Sequence, residues 1–86
     1  MSLLARLFGT KYDDQQLASH AQNALGADPL VTDAAALTVS SDKGMIMLAG
    51  TVHSASEKDR IEGLVRSAIS TVGLKSDRIV NEIKVG

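Results

Sequence analysis

The chain has no cysteine, no tryptophan and a single proline, and its aromatic residues are one Phe and one Tyr, at Phe8 and Tyr12. Without cysteine there is no disulfide framework, no thiolate zinc site and no thiol nucleophile, and cysteine usage therefore leaves the redox compartment open. Two aromatic rings cannot build the stacking platforms on which single-stranded nucleic acid is bound. Excess positive charge is missing as well: nine Lys and Arg against ten Asp and Glu give a net charge of -1 and a pI near 6.0, without the electrostatic footprint of a nucleic-acid binder. No apolar run approaches the ~20 residues that span a bilayer. Arg6 interrupts the apolar start before it reaches signal-peptide length, so a cytoplasmic chain is expected, with any membrane role peripheral. What remains is 86 residues, 44% of them hydrophobic, which is one compact domain with a small core of Leu, Ile, Val, Ala and Met.

Hydrophobic spacing predicts the elements. From Asp13 to about Leu25, Leu17, Ala21 and Leu25 recur every four residues, with Ala18 and Ala24 widening the stripe. Asp13 and Asp14 suit the positive end of that helix, and Gly26 is its expected stop before Asp28-Pro29. Residues 30–36 read as a connection. Leu37 to Ser40 and Met45 to Val52 alternate as strands around Ser41-Asp42-Lys43-Gly44, a hairpin in which Gly44 supplies the positive φ. Ser54-Ala55-Ser56-Glu57 has capping-box spacing and opens a second helix. Its apolar stripe is Ile61, Leu64, Val65, Ala68, Ile69 and Val72, and Gly73 ends it. Ile79 to Val85 alternates as a third strand. The reading is α+β in the order αββαβ: a three-stranded sheet, strand order open, with two helices packed on one face. Residues 1–12 are a tail or short amphipathic helix, and 13–86 are the domain.

Chemistry-bearing residues are sparse. His20 and His53 are the only imidazoles, and neither has the spacing that presents two ligands together, so no side-chain metal site is expected. No Gly-x-Ser-x-Gly elbow occurs, and Ser54 is explained by capping. The acidic pairs Asp13 with Asp14 and Glu57 with Asp59 sit at helix starts, where dipole stabilisation accounts for them. No catalytic residue, and no enzyme, is expected. Gly50 reads as a structural glycine that lets a helix approach the sheet. If both helices cover the side of Ile46, Leu48 and Val52, then Met45, Met47, Ala49, Thr38 and Val80 face outwards, an adaptable apolar face suited to a homodimer or another partner. Arg66, Lys75, Arg78 and Lys84 are expected to gather near the second helix's C-terminus and the last strand, a docking point for lipid phosphates, with Leu4, Leu7 and Phe8 inserting alongside.

The phrase Gly44-Met45-Ile46-Met47-Leu48-Ala49-Gly50-Thr51-Val52 and the late Gly73-Leu74 followed by Ile79-Val80-Asn81-Glu82-Ile83-Lys84-Val85 resemble the BON domain, as does the helix ending in Asn23-Ala24-Leu25 and Asp28-Pro29. Lys75 to Arg78 look like a two-residue insertion relative to the usual pattern, and Leu74 stands where Val is usual. The resemblance implies a small αββαβ domain in which Gly44, Gly50, Gly73 and Asn81 are structural. It further implies a non-enzymatic bacterial binding module, associated with phospholipid or envelope components, and this is the leading expectation for function. A cytoplasmic branch of the family, joined to a LysM module, is associated with potassium; no LysM module is expected here, which sets this chain apart from that branch. For that alternative, the backbone carbonyls of Ile69, Thr71, Val72 and Gly73, at the negative end of the second helix, would hold the cation, helped by oxygens from residues 7–11. A homo-oligomerisation module is the second alternative.

Overall fold

A computed structural model describes residues 12–29, 31 and 36–86. The first helix, α1, spans Asp14–Ala27 and is capped by Asp13, whose carboxylate accepts the Gln16 amide at 3.2 Å. It buries Leu17, Ala21 and Leu25, as their spacing requires. It does not stop at Gly26. The helix runs one residue further, and Asp28 turns extended because the residue before a proline is excluded from helical backbone. Helix α2 spans Ala55–Thr71, with the Ser54 hydroxyl accepting the Glu57 amide at 3.2 Å. The Glu57 carboxylate reaches back one residue further than a capping box would, to the His53 amide at 3.0 Å. At the other end the Leu74 amide donates to the Ile69 carbonyl and the Gly73 amide to the Ser70 carbonyl, with Gly73 at φ 71°, the Schellman arrangement. Val72, expected in the buried stripe, is instead the cap residue and 46% exposed, because the helix ends there.

Strands β1 (Thr38–Asp42), β2 (Met45–Val52) and β3 (Arg78–Val85) form one sheet in the order β1-β2-β3. β1 and β2 are an antiparallel hairpin; β3 returns through α2 to lie parallel to β2. The turn is tighter than the four residues expected. Lys43 at φ 52° and Gly44 at φ 82° are its two central residues, the positive-φ pair of a type I′ turn, so β1 extends to Asp42.

Both helices cover the same face, α1 against β1 and α2, α2 against β3 and β2. The core between them is Leu17, Ala21, Leu25, Leu37, Ile46, Leu48, Val52, Ile61, Val65, Ile69 and Ile83. Gly50 is needed for a different approach from the one expected. A Cβ there would lie 2.8 Å from both the Ala36 carbonyl oxygen and a Leu37 methyl, so the neighbour that comes close is the segment entering β1 and not a helix.

Candidate functional site

The connection from α2 to β3 shapes a groove of about 530 Å³, lined by Arg66 and Ile69 of the helix, by 74–77, and by Arg78 and Ile79 of the strand. It lies where the sheet's helix-covered side runs out, past the last turn of α2. Three of the four basic residues singled out in the sequence therefore border one depression: Arg66 from the helix, Lys75 from the loop, Arg78 from the first position of β3. Lys84 does not join them. It is six residues along β3, roughly 20 Å away at the rise of a strand, and pairs in register with Thr51. Asp77 is the acidic member of the groove, and neither it nor Leu74 and Ile79 is among the binding residues expected from sequence.

The cations differ in availability. Arg66 donates to Glu62, one helical turn before it, at 2.8 Å, an ion pair exposed to solvent. That hydrogen bond, with a second from Asn81, holds the Glu62 carboxyl below the ordinary range. Lys75 and Arg78 form no ion pair with a described residue. Asn81 ties the groove's two walls together behind these charges: its amide donates to the Lys58 carbonyl and to Glu62 Oε1, both at 3.2 Å, while its oxygen accepts the Ile83 amide at 3.1 Å. A polar residue on the inner face of β3 thus bridges the strand to α2 beside the groove.

Of the carbonyls considered for a cation, that of Ile69 is engaged by the Leu74 amide at 3.2 Å. Residues 7–11, expected to complete that site, lie outside the described residues, as do Leu4, Leu7 and Phe8 of the expected inserting segment. Among the described residues there is no cluster of three or more His, Cys, Asp or Glu that could hold a metal, and no helix long and apolar enough to cross a membrane. His53 is exposed at the strand-to-helix junction, and His20 is half-buried on α1.

On its other side no helix of the described residues lies against the sheet. Strand alternation and register place Met45, Met47, Ala49 and Thr51 of β2 there, between Thr38, Ser40 and Asp42 on β1 and Arg78, Val80, Glu82 and Lys84 on β3. Met45, Met47, Ala49 and Val80 are half-buried by their neighbours in the sheet.

No curated protein matches the chain. A family model, the BON domain, nevertheless matches residues 13–86, the stretch that forms the αββαβ fold, and the chain belongs to the BON domain family, a family of non-catalytic binding domains.

Proposed function

We propose that the domain is a peripheral phospholipid-binding module whose groove between the end of α2 and the start of β3 receives an anionic headgroup. The observation that carries this reading is the convergence of Arg66, Lys75 and Arg78 on one depression, in a protein whose net charge is -1. The groove's volume, about 530 Å³, falls in the range of small-ligand sites, and Leu74, Ile69 and Ile79 supply an apolar floor beneath the charges. Guanidinium groups match phosphate oxygens in pairs, and Lys75 adds a mobile point charge.

Attraction of basic residues to an anionic membrane surface contributes about 1 kcal/mol for each Lys or Arg near it. Lys75 and Arg78, which form no ion pair with a described residue, and a third cation shared with Glu62 therefore give weak, reversible, salt-sensitive binding, which is what a peripheral module requires. The test is sedimentation of the full chain with vesicles rich in anionic phospholipid, beside vesicles of neutral lipid. Pelleting with the anionic vesicles at low ionic strength is expected, fading as salt shortens the screening length. Arg78→Glu changes the local charge by two and should lower the bound fraction about tenfold or more. Absence of pelleting at low salt, or equal pelleting with neutral vesicles, would overturn the reading.

A further inference from the structure

The side of the sheet that no described helix covers, the uncovered face, is ordered in rows that run across the three strands. Register sets Asp42 beside Met45 and Met45 beside Arg78; the next row is Ser40, Met47 and Val80, and the one after it Thr38, Ala49 and Glu82. Methionine and small apolar groups thus occupy the middle, with a carboxylate on one edge and a guanidinium on the other in the same row. Asp42 and Arg78 are two strand spacings apart, roughly 10 Å, and no ion pair joins them within one chain. Both are exposed.

From this arrangement we infer that the uncovered face is a self-association surface and that its occupant is a second copy of the chain. A two-fold axis lying between two such faces and running along β2 keeps each row level and exchanges the edges. β1 of one copy then covers β3 of the other. Asp42 meets the partner's Arg78, and Arg78 meets the partner's Asp42, so one row supplies two ion pairs. Met45 and Met47 meet their own counterparts at the axis, where flexible thioethers fill the space between two twisted sheets packed with nearly aligned strands. Thr38 falls opposite Glu82 and Ser40 opposite Val80, so no like charges are brought together. Lys84, whose row mate is Thr51, lies beyond the end of β1 and stays in water.

A bilayer is the poorer occupant of this face. Asp42 and Glu82 flank the apolar centre and would be repelled by an anionic headgroup layer, whereas a second copy offers each edge its opposite. The size of the face sets the class of interface it can form. Three strands about 4.8 Å apart, with β3 and β2 rising about 3.3 Å per residue, give a face on the order of 14 by 26 Å. Two such faces bury an area in the range of weak, transient interfaces, below about 1,200 Å² in total, so the dimer is reversible. It does not rest on the headgroup reading, since no lipid is needed for the two faces to meet, although Arg78 borders both the groove and this face.

Sedimentation equilibrium of the full chain decides the matter. Between about 10 μM and 1 mM the mean mass should rise from that of one 9.0 kDa chain towards twice that value. Asp42→Arg and Arg78→Asp should each weaken association at least tenfold, and the double swap should restore it. Met47→Ser, which alters no charge, should also leave a monomer and covers the case in which a swap at the turn disturbs folding, checked by circular dichroism. A wild-type chain that stays monomeric at about 1 mM overturns the proposal, as does a folded double swap that is no better than either single change.

Discussion

At the scale of single residues, Gly44 and Asp14 hold the hairpin to the rest of the domain. Gly44 is buried at φ 82°, and a Cβ on it would lie 2.5 Å from the Tyr12 ring. Its amide donates to Asp14 at 2.9 Å and its carbonyl accepts the Asp77 amide at 2.8 Å, so the turn is grasped from both the first helix and the lead into β3. The Asp14 carboxylate also accepts the Ser41 hydroxyl at 2.7 Å and the Lys43 amide at 2.8 Å. These donors, the Gly44 amide foremost, hold its carboxyl below the ordinary range for aspartate. A carboxyl whose folded pKa is depressed contributes stability that is fully present above the unfolded value, about 3.9, and is lost as pH falls through the lower folded value. Asp14→Asn should therefore lower the melting temperature at pH 7, and the gap to wild type should narrow below about pH 4. Thermal melts between about pH 7 and 2 check this, and a gap constant over that range would mean that Asp14's charge is not what grips the turn. In the sequence Asp13 and Asp14 are indistinguishable helix-start carboxylates. Asp13 does cap the helix, a local task that spacing reveals, whereas Asp14 acts on residues 27 to 30 positions away, which no spacing rule connects.

Among the elements, those with a strong period were legible and their ends were less so. Leu17, Ala21 and Leu25 on α1 and Ile61, Val65 and Ile69 on α2 are buried as a 3.6-residue repeat demands. The alternation of β2 and β3 sorted the inner from the outer residues correctly, because a two-residue period admits only two faces. The turn was misjudged by two residues because Lys43 adopts a positive φ that nothing in its type announces. The close approach at Gly50 comes from Ala36 and Leu37, a segment with no period to read. Strand order was not legible at all, since only the pairing of β3 with β2 fixes it. What joins α2 to β3 apart from apolar packing is Asn81, and its contribution can be separated from that of the core. Leu48, 1% exposed at the centre of β2, should cost about 2 to 5 kcal/mol when cut to alanine, through lost burial and a residual cavity. Asn81→Ala should cost less, about 1 to 3 kcal/mol, because its partners keep other bonds or reach solvent. Urea unfolding of the two variants measures both, and an Asn81→Ala loss equal to that of Leu48→Ala would show that the tie carries the helix-to-strand packing itself.

In the whole molecule the fold sets two faces with separate chemistry and one residue common to both. Arg66, Lys75 and Arg78 meet because they flank a single connection, a local relation that sequence proximity preserves, while Lys84 is carried away by the length of β3. The outer apolar face was legible from alternation, but its charged edges were not, because Asp42 and Arg78 become row mates only through the register of two different strand pairs. Arg78 lines the groove and closes the row that contains Asp42, so the headgroup and dimer readings draw on the same guanidinium. In the dimer we propose, association would engage Arg78 with the partner's Asp42 and leave the groove with Lys75 and the Glu62-bound Arg66. A chain that cannot dimerise should therefore bind anionic vesicles at least as well as wild type, and better at concentrations where wild type is paired. Met47→Ser makes that comparison without changing net charge, and it should hold or raise the vesicle-bound fraction at low salt, whereas Arg78→Glu should lower it. If Met47→Ser weakened vesicle binding as much as Arg78→Glu does, the sheet face would itself be touching lipid, and the separation of the two surfaces would be wrong.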